Sequence, residues 1–196
     1  MTAFTKAFDA AVDHAMLYEV GGFWKLTPEV IAGLCDTPAR KKATGYVNDP
    51  DDPGGETKFG VAKNANTDLN IKTLTWDGAK TVYFNRYWIA GSCDKLPPRL
   101  AVLHFDGCVN HGVKKANMFL QQAAGVVADG DIGPVTLSKI VGSSEIGLCN
   151  KVCDLRAKFY NDIVKNKPTS AKYLAGWLRR ITEMRVFVTD SKQTFQ

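Results

Sequence analysis

The chain has 196 residues, of which 45% are hydrophobic and 23% charged, and its formal net charge is +5. This length predicts one domain with room for a small appended module, and the composition excludes collagen-like, low-complexity and disordered proteins. The apolar runs are shorter than the ~18–20 residues that a membrane-spanning helix needs, so we expect no membrane insertion.

The positive charge is concentrated in the second half of the sequence. Residues 1–98 carry 11 Lys and Arg against 12 Asp and Glu, whereas residues 99–196 carry 14 against 8. The excess falls between Lys151 and Lys192. A basic C-terminal face predicts an anionic partner such as nucleic acid, anionic lipid or an acidic wall polymer; a solvated, Lys-rich helical surface is the alternative.

The first predicted helix runs from about Thr5 to Glu19, because apolar residues recur on one face at 100° per residue. Glu19 projects onto the middle of that face, so we expect its carboxyl to be partly buried and its pKa to be raised. Gly21 and Gly22 end the helix, since glycine accepts the left-handed conformation of a C-terminal cap.

The segment 23–45 is predicted to be irregular apart from one short helix. Thr27-Pro28 is a helix-start signal, the helix continues to Cys35, and the residues from Asp36 to Pro38 stop it. A turn rich in Asp, Pro and Gly follows. Two short strand-like pieces, Tyr46–Val47 and Thr57–Val61, flank this turn and predict one small β-hairpin near residues 46–61.

The rest of the chain has helical apolar periodicity. The predicted helical segments are Trp76–Trp88, Arg99–Ala124 with possible breaks at Gly107 and Gly112, Pro134–Val141, Leu148–Ile163 and Leu174–Val188. The predicted fold class is therefore mainly α (α+β): a helical globule with one small β-hairpin.

Five cysteines stand at positions 35, 93, 108, 149 and 153. Their odd number, and an N-terminal segment without the basic start and continuous apolar stretch of a secretory signal, favour a reducing cytoplasm. Cys149 and Cys153 are one helical turn apart without a neighbouring His, so buried apolar thiols are expected. His104 and His111 lack a third ligand, so no metal site is predicted.

The carboxylates suggest acid–base chemistry. Glu19 is expected to be protonated near neutral pH, whereas Asp49, Asp51 and Asp52 lie in a polar turn and should stay ionised. Two carboxyl groups in opposite protonation states are what glycoside hydrolysis requires. The alternatives are a salt-bridged carboxylate at a helix end and ordinary turn aspartates.

Two stretches together resemble the signature of the glycoside hydrolase 108 family, which comprises phage endolysins and related muramidases. They are Glu19–Phe23 and Gly45–Val61, the latter with Asn48-Asp49-Pro50, Asp52-Pro53-Gly54-Gly55 and Thr57. The later stretch from Asn110 to Leu137 is similar to the predicted peptidoglycan-binding region of that family. The resemblance implies a lysozyme-like fold and hydrolysis of the β-1,4 bond between N-acetylmuramic acid and N-acetylglucosamine, without a cofactor.

The resemblance also implies site residues. It makes Glu19 the general acid, Asp52 the second carboxylate and Thr57 the third catalytic residue. The substrate groove is expected to include Tyr46, Asn48, Gly54 and Gly55, with Asn110 and His111 on its far wall. The sequence departs from the family pattern in two ways: Val20 interrupts Glu-Gly-Gly, and an insertion at about positions 24–44 follows Phe23. Glu56, beside Thr57, is the rival candidate for the acid.

The expected organisation is a catalytic region, residues 1–98, and a basic, helical, peptidoglycan-binding-like region, residues 99–196, packed in the same globule. The predicted protein is a monomer that binds peptidoglycan and neither nucleic acid nor a membrane. It is expected to stay in the host cytoplasm until a separate holin releases it to the periplasm and cell wall at lysis. A non-catalytic peptidoglycan-binding or virion-associated structural protein, and a nucleic-acid-binding protein using residues 151–192, are the alternatives.

Overall fold

The computed structural model describes residues 5–19, 32–33, 37–49 and 54–195. Most of these residues are helical. The helices are α1 (Lys6–Glu19), α2 (Pro38–Thr44), α3 (Trp76–Tyr83), α4 (Pro98–His111), α5 (Val113–Ala124), α6 (Pro134–Val141), α7 (Glu145–Asn166) and α8 (Ala171–Thr189). A π-helical turn, Phe84–Ile89, extends α3, and short 3-10 turns span Lys63–Ala65, Cys93–Lys95 and Pro168–Ser170. Within the described ranges, no helix is both long and apolar enough to cross a membrane.

The described β-structure is an antiparallel hairpin of β1 (Thr57–Lys58) and β2 (Val61–Ala62). The predicted fold class, mainly α with one small β-hairpin, is confirmed. The predicted continuous strand from Thr57 to Val61 is wrong, because the chain reverses at Phe59 and Gly60. Both have positive φ, +52° and +73°, which is the backbone of a two-residue type I′ turn.

The chain divides into two compact units. The hairpin unit is Val12–Arg86, and the helical unit is Met1–Ala11 together with Tyr87–Gln196. The sequence-based division at residues 98 and 99, with both parts in one globule, stays a prediction.

Helix α2 lies at the end of the segment that was expected to be irregular. Thr37 caps it with a side-chain oxygen that accepts a hydrogen bond from Arg40 N at 3.3 Å, and Pro38 occupies the first turn. The prediction that these residues only stop a helix is wrong, because a Thr cap followed by Pro is itself a helix start. The short helix predicted for residues 27–35 lies outside the described residues, apart from a turn at 32–33.

The core of the helical unit is α4, which is buried at every position from Leu100 to Cys108 and packs against α5, α7 and α8. Gly112, at φ +79°, separates α4 from α5, so the predicted break at this glycine is confirmed. The possible break at Gly107 is wrong, because α4 continues through this residue. Phe8 of α1 packs edge to face on Trp88 and Phe105, with ring centroids 5.5 and 5.8 Å apart.

A buried ion network crosses this core. Asp106 is fully buried and accepts hydrogen bonds from Arg156 Nη2 at 2.6 Å and Arg180 Nε at 3.0 Å. Burial opposes ionisation of Asp106, but these guanidinium groups hold its pKa below the usual range. Two of the ten basic residues between Lys151 and Lys192 are therefore committed to the interior, and the basic face is weaker than the sequence suggested.

Candidate active site

The two predicted catalytic carboxylates fall outside the described side chains. Glu19 is the last residue of α1, and only its place in the helix is described. Asp52 lies in the gap between residues 49 and 54. Their roles stay predictions that rest on the sequence.

Thr57, the third predicted catalytic residue, is fixed by a bridge to Val47. Its N–H donates to Val47 O at 2.8 Å, and Val47 N–H donates back to Thr57 O at 2.9 Å. The predicted pairing of these two pieces of chain is thus confirmed. The hydroxyl of Thr57 donates to Gly55 O at 3.1 Å. A hydroxyl that donates in this way can still accept hydrogen bonds from water or a sugar.

The Gly54–Gly55 turn approaches the side chain of Asn64. Gly55 has φ +68°, and a Cβ at this position would lie 3.3 Å from Asn64 Oδ1. The Asn64 N–H donates to Gly54 O at 3.1 Å. Both the backbone conformation and the space available therefore favour glycine, which keeps this turn bare enough for close approach of a ligand. The sequence contains no signal for the part played by Asn64.

Tyr46 and Glu56 are joined by a short hydrogen bond. Tyr46 OH donates to Glu56 Oε1 at 2.6 Å, and both residues are half-buried. A hydroxyl-to-carboxylate bond of this length is charge-assisted and strong. Glu56, the alternative candidate for the general acid, is thus held in place by Tyr46. The Tyr46 hydroxyl already donates its proton to Glu56, so toward a ligand it can act only as a hydrogen-bond acceptor.

Lys58, the second residue of β1, is buried, and the sequence pattern did not predict a role for it. It is fully buried, and its Nζ donates to Gly33 O and, at 2.8 Å, to Lys72 O. The backbone N–H of the next residue, Phe59, donates to Thr44 O at 2.7 Å. Lys58 therefore ties the hairpin to two loops of the same unit.

Asn110 and His111 lie at the end of α4 in the helical unit. Asn110 is exposed, and its Oδ1 accepts a hydrogen bond from Tyr160 OH. His111 Nε2 accepts a hydrogen bond from Arg156 Nε at 3.1 Å. Burial and the nearby Arg156 lower the pKa of His111 to about 3, so its imidazole is neutral at physiological pH.

The predicted site residues therefore fall into two described sets. The hairpin unit brings together Tyr46, Asn48, Gly54, Gly55 and Thr57, and the helical unit holds Asn110 and His111. Asn48 is exposed and directly follows the bridging Val47.

Comparison with known families gives the site its context. The glycosyl hydrolase 108 model matches residues 40–112, and the predicted peptidoglycan domain matches residues 115–182. The resemblance of the sequence to the glycosyl hydrolase 108 family, followed by a peptidoglycan-binding region, is thus confirmed. The first match includes Thr57, Asn110 and His111, whereas Glu19 precedes it.

A solved structure has a similar fold. The structure of Brucella abortus SagA is similar to this chain over 95% of its residues and 98% of those of SagA, with a TM-score of 0.68 and 25% sequence identity. A comparison with curated proteins found no match. The lysozyme-like character of the mainly helical fold is thus confirmed.

These findings bear on the chemistry at a coarse level. The glycosyl hydrolase 108 match and the peptidoglycan domain match together support a glycoside hydrolase that acts on peptidoglycan. The peptidoglycan domain match also supports peptidoglycan as the substrate and partner.

Proposed function

We propose that the protein is a muramidase that hydrolyses the β-1,4 bond between N-acetylmuramic acid and N-acetylglucosamine. One observation carries the proposal: the Val47 bridge fixes Thr57 with its hydroxyl on the bare Gly54–Gly55 turn. These residues belong to the segment whose pattern resembles the family signature, and they lie within the matched glycosyl hydrolase 108 range.

In the proposed reaction, Glu19 donates a proton to the glycosidic oxygen as the bond breaks. Asp52 either activates a water on the opposite face of the sugar or stabilises the oxocarbenium-like ring. Thr57 positions that water or that carboxylate. A separation of about 6.5–9.5 Å between the two carboxyl groups gives inversion at the anomeric carbon, and about 5–5.5 Å gives retention. NMR of the first-formed product anomer distinguishes the two outcomes.

The decisive variant is Glu19→Gln. Glutamine keeps the shape of the side chain but cannot act as a general acid, so hydrolysis of purified peptidoglycan should fall by about 10²–10⁴-fold. Two matched controls separate acid chemistry from charge: Asp13→Asn on the same helix, and Glu56→Gln at the rival position. Both should retain most of the activity. Wild-type rates in the Glu19→Gln variant would remove Glu19 from the mechanism, and loss only in Glu56→Gln would transfer the role.

The bond cleaved is tested by the products. Mass analysis of borohydride-reduced fragments should show N-acetylmuramic acid at the reducing end. Reduced N-acetylglucosamine instead would make the protein a glucosaminidase.

We infer that the helical unit holds the wall through aromatic stacking and charge. Tyr173 of α8 is 53% exposed, and its ring lies 5.7 Å from that of Trp177, which is stacked on Tyr160 at 4.8 Å. Aromatic faces of this kind suit the apolar faces of sugars. The exposed basic residues of α7 and α8 add attraction to an anionic wall, which predicts activity that falls as salt is added.

We further propose a biological role in phage-induced lysis. The protein would remain in the host cytoplasm as a monomer until a holin opens the membrane, and then act in the periplasm and cell wall. Induced expression in a bacterial cytoplasm should lyse cells only when a holin is co-expressed. Lysis by the protein alone would disprove the dependence on a holin, and light scattering during gel filtration checks the monomer.

A non-catalytic wall-binding protein is the second candidate, favoured by the peptidoglycan domain match at residues 115–182. It predicts sedimentation with peptidoglycan without release of sugars. The two candidates are separated by measuring reducing ends in the same sample that is assayed for binding.

A further inference from the structure

Three metal-ligating side chains meet in the interior of the helical unit. Cys93 begins the 3-10 turn before α4, and His104 and Cys108 stand one turn apart on α4. Their donor atoms all lie within 4.8 Å of one another. All three residues are at most 2% exposed. Across the described ranges, this is the one group of at least three His, Cys, Asp or Glu residues with donors close enough to share a metal ion.

The distance between two of the donors equals that in a tetrahedral metal site, and the third donor is close to both. With Zn–S about 2.3 Å and Zn–N about 2.0–2.1 Å, tetrahedral geometry holds sulfur and nitrogen about 3.6 Å apart. Cys108 Sγ lies 3.6 Å from His104 Nε2. The second sulfur, Cys93 Sγ, lies within 4.8 Å of both of these atoms.

Two oxygen atoms stand at the same place. His104 Nε2 is 2.9 Å from Asn117 Oδ1 and 3.1 Å from Gly91 O. Asn117 is buried, and its amide nitrogen donates to Gly130 O at 2.8 Å, which turns its oxygen toward the cluster. A Cβ on Gly91 would lie 2.7 Å from Cys108 Sγ and 2.6 Å from Tyr87 O, so the bare backbone of a glycine is required beside the sulfur.

We propose that Cys93, His104 and Cys108 bind a thiophilic divalent cation of the Zn²⁺ class, with the oxygen of Asn117 or Gly91 as the fourth ligand. On binding, each thiol that is still protonated releases its proton to solvent, and the imidazole proton moves from Nε2 to Nδ1. Two thiolates, a neutral imidazole and a divalent cation leave no net charge, which suits a buried site. Four protein ligands make the site structural, and the cation clamps the segment 91–93 onto α4 and α5.

The chain offers its own control. Cys149 and Cys153 are also buried and stand one turn apart on α7, but they do not form part of the three-donor cluster. Their sulfurs test whether any buried pair of thiols gives the same signal.

Cobalt(II) titration of the reduced, metal-free full-length protein tests the proposal. Wild type and Cys149→Ser should bind about one equivalent, with the thiolate charge-transfer bands and intense visible bands of tetrahedral cobalt. Cys93→Ser and Cys108→Ser should lose these bands. His104→Asn, which retains a polar group of similar size, should weaken binding at least about tenfold. Added Zn²⁺ should displace the cobalt and raise the melting temperature of wild type and Cys149→Ser, but not that of Cys93→Ser or Cys108→Ser.

Three results would overturn the proposal. The first is a reduced wild-type protein, folded by circular dichroism, that binds neither cobalt nor zinc. The second is a Cys93–Cys108 disulfide found by mass spectrometry together with no metal uptake after reduction, which would make the cluster a redox pair. The third is equal loss of the bands in Cys149→Ser. The Glu19→Gln variant should bind metal as wild type does, so failure of the hydrolase proposal leaves this result unaffected.

Discussion

The hairpin unit and the helical unit satisfy the hydrogen bonds of their buried cationic side chains in different ways. In the hairpin unit, side chains reach backbone carbonyls: Lys58 Nζ bonds Lys72 O at 2.8 Å, and Tyr83 OH bonds Phe59 O at 2.9 Å. In the helical unit, the buried Arg156 instead bonds the carboxylate of Asp106 at 2.6 Å. Strands of two residues leave carbonyls that need donors, whereas long helices satisfy their own backbone. A buried lysine thus supplies donors to the carbonyls around the short strands, whereas the buried arginines of the helices are balanced by a carboxylate.

The largest effect should come from unbalancing that charge. Asp106→Asn leaves Arg156 and Arg180 buried without a counter-charge, which should cost about 3–5 kcal/mol of unfolding free energy. Urea denaturation followed by circular dichroism measures it. Asp154→Asn is the matched control, because the 2.6 Å pair of Asp154 with Arg185 is largely exposed on the Asp side, and its loss should cost less than about 1 kcal/mol. Equal effects in the two variants would contradict the comparison.

The next effect should appear in the hairpin unit. Lys58→Met keeps most of the side-chain volume but removes both carbonyl bonds, which should cost about 2–3 kcal/mol. Hydrogen exchange should speed up at the amides of Thr57 and Lys63, while α7 keeps its protection. The control is Lys72→Met. The Lys72 side chain is exposed, and the substitution keeps the backbone carbonyl that accepts the hydrogen bond from Lys58. Uniform loss of protection across both units would show that they are not stabilised separately.

Acid should destabilise the helical unit through His111. Because its pKa falls from 6.5 to about 3 on folding, the unfolded chain binds a proton more readily between these values. Stability is therefore lost as the pH falls through this window, by at most about 1.4 kcal/mol per pH unit for one proton. His111→Gln should flatten the slope of unfolding free energy against pH. An unchanged slope would exclude His111 as its source.

The smallest effect should be on wall binding. Tyr173→Ala removes an exposed ring. Because stacking of a ring on a sugar contributes about 1 kcal/mol, binding to peptidoglycan in a sedimentation assay should weaken about fivefold. The melting temperature should stay unchanged, because the ring is largely exposed. Val186→Ala is the control, because Val186 is 63% exposed on the same helix. Unchanged binding by Tyr173→Ala would place the wall-binding surface elsewhere.

The long helices were predictable because their apolar periodicity persists over many turns. The helical segment 99–124 was predicted with two possible breaks, Gly107 and Gly112, and only Gly112 separates α4 from α5. Short elements were harder, since one residue decides them. At Phe59 the alternating pattern favoured a strand, but the backbone turns there, held by bonds from Tyr83 and to Thr44 that the local sequence does not contain.

The sequence indicated which polar residues lie on buried helix faces, but not their partners. Asp106 lies on a buried helix face, a pattern like that noted for Glu19, but its arginine partners lie 50 and 74 residues away. His104 and Cys108 have the four-residue spacing of one helix face, whereas Cys93 reaches them only through the fold. The Glu19, Asp52 and Thr57 assignment came from the family resemblance, and it stays a prediction.

The single residue between α4 and α5 has a consequence for how this protein could have been assembled by recombination. Gly112 ends the range of one family model, and the next begins at residue 115, inside a helix that packs on α4. An exchange of gene segments at this boundary would separate two helices that share one core. A gene segment that encodes a folded peptidoglycan domain must therefore include α4. Such a segment is longer than the range 115–182 that matches the domain.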